Sequence, residues 1–446
     1  MKILQTPPSW EKILASAGTF DRSIEIMHCA SKEIADTDRY LHWEELRHRS
    51  GNSQFSAQEK WASLKSSRAT KSQKIPLTDS KGRKFHFFLT QKMFQLLHQA
   101  DMQAGGGVSA PPEITTPDSR DRYYISSLIE EAITSSQLEG AIVTRSQAKD
   151  MLRTNRKPID ENEQMVLNNF LTMKKLRKLK NSDLTPELIL EIHREISSGT
   201  LETPFDEGRF RNATDQVRIE DIESGEVIHT PPSAKGLPDR IQELCDFAND
   251  PAMTGYLHPV IRSIILHFWL AYEHPFIDGN GRTARALFYW SMLKHDFWLF
   301  EFISISQQIL KAPKKYYRAF LYTETDDNDL NYFLLHQLQI LNQSMESLHD
   351  YIAHKQAELE SLRQTISPSL GFNHRQLALI RNAASNPRAI YTVVSHRTSH
   401  NIATQTARTD LQELEEKGLL KRQKISKAFQ FSPTDDFTEC LKNLSL

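Results

Sequence analysis

The stretch HPFIDGNGRTAR, residues 274–285, gathers a histidine, a carboxylate, a glycine-rich turn and two arginines. An imidazole titrates near neutrality, so His274 suits removal of a proton from a hydroxyl. Gly279, Asn280 and Gly281 can take backbone conformations closed to bulkier chains. A helix predicted to start near Gly281 aims its first free N–H groups at that turn, which makes an anion site. Arg282 and Arg285 are three residues apart and share one face of the first turn. Two guanidiniums beside an amide cradle suit a polyphosphate. Asp278 is the candidate Mg²⁺ ligand, because Mg²⁺ is held by one or two carboxylates together with phosphate oxygens and water. Phe276 is expected in the core, anchoring the loop. Plainer readings exist. HxxxD alone is a weak metal signal, and GNGRT without GxxxxGK[ST] is only loosely a phosphate loop.

Such a loop needs rigid elements around it. HPVIRSIILHFWLAYE is apolar nearly all round, which predicts a central buried helix ending near Tyr272 and stopped by Pro275. RTARALFYWSMLKH predicts a second helix directly after the loop. LTPELILEIHREI starts a helix with Thr185 as N-cap and Pro186 at the first position. VRIEDIESGEVIHTPP alternates around Ser224-Gly225 and predicts a hairpin. From residue 118, Ile125, Leu128, Ile129, Ala132 and Ile133 form one helical stripe, with Gly140 as its stop. Upstream, IPLTDSKGRKFHFFL predicts a hairpin turning at Lys81-Gly82. It is followed by a helix with Met93, Leu96 and Leu97 on one face, and then by the linker QAGGGVSAPPEITTP. A polar helix is predicted over 344–365, broken by SPS at 367–369.

Composition narrows the classes. The 446 residues are 39% apolar and 25% charged, as in a globular protein with a full core. A net charge of −1 excludes a globally basic nucleic-acid coat protein but not local patches. Cys29, Cys245 and Cys440 are far apart with no CxxC pair, against a disulfide framework or zinc site, so a cytoplasmic location is expected. The N-terminus lacks a signal-peptide apolar run. VIRSIILHFWLAY is interrupted by Arg262 and is too short to span a bilayer, so no membrane partner is expected.

The 274–285 stretch resembles the signature of Fic-domain proteins, HPFx[D/E]GNGRxxR, at His274, Pro275, Phe276, Asp278, Gly279, Asn280, Gly281, Arg282 and Arg285. The resemblance extends over the helices from about 118 to 340. It implies a mainly α, Fic-type helical bundle with a β-hairpin flap. The implied activity is protein adenylyltransfer, with ATP as AMP donor, Mg²⁺ as cofactor and a Ser, Thr or Tyr hydroxyl of a protein as acceptor. In that reading His274 is the base, Asp278 positions Mg²⁺, residues 279–281 cradle phosphate, and Arg282 and Arg285 hold the β- and γ-phosphates. SSQLEG, Ser135 to Gly140, fits the family's inhibitory motif [S/T]xxxE[G/N]. Glu139 would pair with Arg285 and deny it to the γ-phosphate; by itself it is an ordinary helix charge. The resemblance also implies that Ile219, Val227 and His229 sit on a flap that aligns the target by strand addition, where a plain surface hairpin is the alternative. Tyr316 or Tyr317 would line the adenine pocket, with a core role open for either. Removal of AMP by the same site, self-modification, other nucleotide donors and a homodimer all stay open.

Residues 371–433 read as helix, helix, turn, helix and hairpin, and resemble a winged helix-turn-helix domain. Ile402, Ala407, Leu411 and Leu414 are expected inward. Residues 371–430 carry ten Lys or Arg against four Asp or Glu, a formal excess of +6, which suits DNA phosphates. Thr404, Thr406 and Arg408 would face the groove, although winged helices also bind proteins. A DNA-binding regulator with a nucleotide-sensing Fic domain is thus the rival reading. The expected division is 1–115 accessory region, 116–343 Fic domain, 344–370 linking helix and 371–446 winged helix.

Overall fold

The computed structural model describes residues 4–33, 39–49, 54–104, 117–220, 225, 227–250, 255–365, 371–386, 389–425, 428–434 and 436–444. The chain forms two compact units. The first comprises Met1–Asp101, Leu179–His295 and Lys311–Asn342; the second Met102–Lys178, Asp296–Leu310 and Gln343–Leu446. Among the described residues no helix is long and apolar enough to cross a membrane.

The first unit starts with helices α1 (Trp10–Ala15), α2 (Phe20–Glu33), α3 (Trp43–Leu46) and α4 (Ala57–Ala69), which pack on one another. Ser56 and Glu59 close a reciprocal capping box on α4, satisfying two of the N–H groups that a helix start leaves open. Strands β1 (Gln73–Thr78) and β2 (Lys84–Phe87) then pair antiparallel, with Gly82 at φ +74 in the predicted turn. The helix after them, α5 (Gln91–Ala104), buries Met93, Leu96 and Leu97 as its spacing required. Phe85 of β2 is fully buried edge-on to Phe268 and Tyr272, which lie on the helix before the signature. Arg68 and Lys65 are also buried. Arg68 donates to the Tyr332 hydroxyl at 3.0 Å, and Lys65 reaches Asp326 at 2.7 Å. The linker at 105–116 lies outside the described residues.

The second unit opens with α6 (Pro117–Leu138), α7 (Arg145–Thr154) and α8 (Glu161–Leu179). The predicted stripe of α6 is buried throughout, and Gly140 takes the left-handed conformation just past its end, at φ +93. Back in the first unit follow α9 (Pro186–Ser197), capped by Thr185 as expected, the short pair β3 (Ile219–Glu220) and β4 (Val227–His229), and α10 (Leu237–Asn249). Next come α11 (Pro259–Glu273) and α12 (Asn280–Lys294). They pack side by side and antiparallel: Ser263 near the start of α11 donates to Ser291 near the end of α12, at 2.8 Å. Cys245 on α10 is 1% exposed, and burial pushes its thiol pKa up to about 12.

Helices α13 (Ile305–Lys311), α14 (Pro313–Thr325) and α15 (Asn331–Thr365) follow. α15 starts thirteen residues before the predicted 344, because its first half is apolar and buried through Phe333, Leu334, Leu338 and Leu341. The SPS break at 367–369 lies outside the described residues. The C-terminal segment runs α16 (His374–Ser385), β5 (Tyr391–Thr392), α17 (Val393–His400), α18 (Thr404–Glu416), β6 (Leu420–Ile425), β7 (Ala428–Pro433) and α19 (Phe437–Leu444). Its sheet order is β5-β7-β6, and both β5 and α19 are absent from the sequence reading. Ile380, Leu411, Leu414 and Phe431 make its own core. Ala407 is buried with them, while Ile402 is only half-buried. Asp410 is 2% exposed and accepts from Arg375 at 2.6 Å and from Asn373 at 2.8 Å, with His396 at 2.9 Å. These partners hold its pKa well below the usual carboxylate range and tie α16, α17 and α18 together. Within the second unit α17 packs against α6 and α7.

Candidate active site

The site is a helix–loop–helix. Nearly every side chain of α11 is buried, and the helix ends at Glu273. His274 is its C-cap, in the left-handed conformation at φ +47, ψ +58, and its N–H still donates to the Leu270 carbonyl at 2.9 Å. This backbone state costs a residue with a β-carbon roughly 1–2 kcal/mol. It folds the imidazole back toward its own helix, with Nδ1 3.2 Å from the Ala271 carbonyl. A carbonyl only accepts, so Nδ1 carries the hydrogen and Nε2 keeps its lone pair. Desolvation pulls the His274 pKa down to about 4 against the opposing Ala271 bond, so the ring is neutral at pH 7.

A helix end leaves carbonyls without partners. Here side chains from elsewhere in the first unit satisfy them one after another. His229 donates from Nε2 to Tyr272 at 2.9 Å. Arg211 donates from Nη2 to Glu273 at 3.1 Å and from Nε to His274 at 2.8 Å, and its backbone N–H donates to Pro275 at 2.8 Å. Its Nη2 also reaches Pro232 at 2.5 Å. Asn280 closes a two-way clasp on Phe276, accepting its N–H and donating to its carbonyl, both at 2.9 Å. His193 donates from Nε2 to the Asp278 carbonyl at 2.8 Å, while Gly208 N–H donates to its Nδ1 at 3.0 Å. Those two bonds fix His193 as the neutral Nε2–H tautomer, and burial lowers its pKa to about 4. His229 is the opposite case. Its Nδ1 faces the Glu324 carboxylate at 2.7 Å, so both ring nitrogens meet acceptors and both must donate. Burial lowers its pKa, but Glu324 outweighs that and the net shift is upward. Two cations thus sit at the negative end of the α11 dipole, where charge of that sign is favoured.

The loop's exit is as tightly built. Phe276 is fully buried and stacks on His193 at 3.6 Å, as the anchor role required. Gly279 caps α12 at φ +78, and a β-carbon there would meet His193 Nε2 at 3.3 Å. The first-turn N–H groups of Asn280 and Gly281 have no helical carbonyl behind them. Asp278 is exposed; its Oδ1 accepts Gly279 N–H at 2.6 Å and its Oδ2 lies 3.4 Å from Arg282. Arg282 and Arg285 are each 1% exposed. Arg282 donates to the Ile196 carbonyl at 3.3 Å, and the charge of Arg285 helps burial depress the His267 pKa. Among the described residues no group of three or more His, Cys, Asp or Glu could hold a metal. One exposed carboxylate beside free amides therefore fits Mg²⁺ carried mainly by nucleotide phosphates, and not a resident metal cage.

Other predicted residues fall differently. Tyr316 is a core aromatic, 4% exposed, with its hydroxyl 2.9 Å from Nε2 of the buried His267; the half-exposed member of the pair is Tyr317. This corrects its assignment to an adenine pocket, since an apolar environment and a ready partner favour burying it. Ile219 pairs with His229, and Val227, paired with Glu220, is 46% exposed. His229 sits on the hairpin as expected, is buried there, and anchors the hairpin to α11. Ser224 lies outside the described residues. Ser135 is buried on α6, Glu139 is half-buried just past its end, and both stand in the second unit with Gly140. On α18, Thr404 and Arg408 are exposed and Thr406 is half-buried. Sequence reasoning missed His193 and Arg211. Residues 208–212, GRFRN, offer two arginines that the sequence alone does not separate, and His193 looks like any histidine on an amphipathic helix.

Residues 183–292 match the family model described as "Fic/DOC family". A protein named protein adenylyltransferase Fic from Nematostella vectensis is 30% identical over 161 residues, 34% of this chain and 34% of the relative. One of the same name from Drosophila willistoni is 33% identical over 156 residues, 34% of this chain and 29% of the relative. The match thus spans about a third of these relatives' length. A solved structure of Fic-1 from C. elegans aligns with a TM-score of 0.50 and 17% identity, over 78% of this chain and 99% of that one, a likeness of fold. Residues 183–292 thus match the family that the signature stretch resembles.

Proposed function

We propose that this Fic-domain chain is a protein adenylyltransferase that moves AMP from ATP to a protein hydroxyl and is held in check by Glu139. The observation that carries the reading is the neutral His274 with its Nε2 lone pair, set beside the unpaired amides at the start of α12. In the reaction the acceptor oxygen bonds to the α-phosphorus, the bond from that phosphorus to pyrophosphate breaks, and the hydroxyl proton passes to His274 Nε2. The N–H groups of residues 280 and 281 receive phosphate oxygens, and Arg282 and Arg285 supply the positive charge behind them. Asp278 would hold Mg²⁺, which when bound withdraws charge from phosphate oxygens. Exposed Val227 and the short β3–β4 pair offer an edge for an extended target segment. Ser135 to Gly140 supports the brake: a carboxylate on Arg285 competes directly with a γ-phosphate.

Labelling with α-³²P ATP and Mg²⁺ tests this. Label is expected on protein with Glu139→Gly, little with wild type and none with Glu139→Gly/His274→Ala. Equal labelling by the last variant would sink the assigned base. A second reading concerns the C-terminal segment, which we take as a winged helix on DNA. It is supported by exposed Thr404 and Arg408 on α18 and by exposed Lys421, Arg422 and Lys424 on the β6 wing.

A further inference from the structure

A cavity of about 430 Å³ lies within the second unit, walled by α6, α7, α8 and the turn between α17 and α18. It shares no residue with the signature loop. Its floor is apolar: Met151, Leu152 and Phe170 are nearly buried, and Ile125 of α6 joins them. Its rim is cationic. Lys157, Lys174 and Arg397 line it, and none of the three has a carboxylate partner among the described residues. The fourth cation, Arg156, is already neutralised by a two-pronged bond to Glu163, at 2.9 and 2.7 Å. Among the described residues no acid lines the cavity, and Asn155 and Asn401, both left-handed helix caps, line it.

Three unbalanced positive charges converging on one concavity are mutually repulsive until an anion arrives. An apolar ligand would leave them uncompensated, and a lone inorganic anion would leave the floor wet. Volume, floor and rim together suit a molecule with an apolar or aromatic body and a multiply charged head. We propose that this cavity binds a small organic phosphate of about mononucleotide size, at a site separate from the signature loop. Because α6 walls the cavity and leads directly to Ser135 and Glu139, occupancy would bear on the brake. That consequence alone rests on the function proposed above.

Photolabelling of the full chain with 8-azidoadenosine 5′-monophosphate tests the site. Label is expected on peptides within 151–174 or 397–402, displaced by excess AMP. It should drop by at least about tenfold in Lys157→Glu/Lys174→Glu, two surface reversals that spare the fold. Circular dichroism of that variant checks its folding, and Arg397→Glu gives an independent second test. Label confined to the signature loop and α14, label unchanged by both variants, or label displaced by duplex DNA and not by AMP would each overturn the proposal. So would absence of label together with absence of calorimetric heat at millimolar AMP. None of these outcomes depends on whether AMP transfer is found.

Discussion

Two helix–turn–helix units of this chain close in the same way and are used oppositely. α11 ends on His274 at φ +47, and α17 ends on Asn401 at φ +50. Asn takes this conformation routinely, because its short amide can bond locally. The helix that follows Asn401 turns Thr404 and Arg408 to solvent. At His274 the same turn is braced by Arg211, His229, Asn280 and His193, and the following helix draws both its arginines inside. That brace holds the His274 imidazole in a single place. Strain persists at functional sites when the surroundings over-determine it.

The widest separation should come from replacing each left-handed residue with glycine. On the Glu139→Gly background, His274→Gly is expected to reduce AMP transfer about 10²–10⁴-fold, the usual share of a general base. Its unfolding midpoint should move little, since glycine relieves the turn. Next comes the brace. Arg211→Met leaves the carbonyls of residues 273 and 274 without partners, so urea denaturation should show a loss of about 2–4 kcal/mol. Arg211→Lys would restore only part, because one ammonium cannot reproduce the fork. A full recovery by lysine would break the argument.

The third effect depends on pH. His193 is held neutral, with its pKa lowered to about 4 against about 6.5 for a free histidine. The unfolded chain therefore binds more protons in that window. The stabilisation is complete above 6.5 and drains away as pH falls toward 4, by up to about 1.4 kcal/mol per unit. His193→Gln should flatten that slope in urea titrations at pH 7 and pH 5. His229 has the opposite sign: its raised pKa stabilises below 6.5, and that contribution is lost as pH rises through the folded value. The smallest effect is Asn401→Gly, expected within about 0.5 kcal/mol of wild type by thermal melt. A loss as large as that of Arg211→Met would mean that the two turns are built alike after all.

Much of this is legible in the sequence alone. The signature loop, the all-round apolar α11, the Thr185 cap, the 73–87 hairpin and the helix order of the C-terminal segment follow from periodicity and turn chemistry, which are local. The brace was not, because it is made across the chain: His193 lies 85 positions from Asp278, and Arg211 63 from His274. Residue type alone did not separate Tyr316 from Tyr317, since only packing decides which ring is inside. The start of α15 was missed because its apolar first half and charged second half look like two segments when read by composition.

The buried thiol of Cys245 makes the first unit its own reporter. A thiol with a pKa near 12 in a closed core reacts with an alkylating reagent only through the fraction of time that α10 swings open. Cys440, half-buried on α19, keeps time for the second unit in the same tube. Cys29, also buried in the first unit, is a third thiol, so the additions are read peptide by peptide, and those at Cys245 and Cys440 give two opening clocks from one chain. Those clocks reveal whether the first unit and the second unit open together or apart.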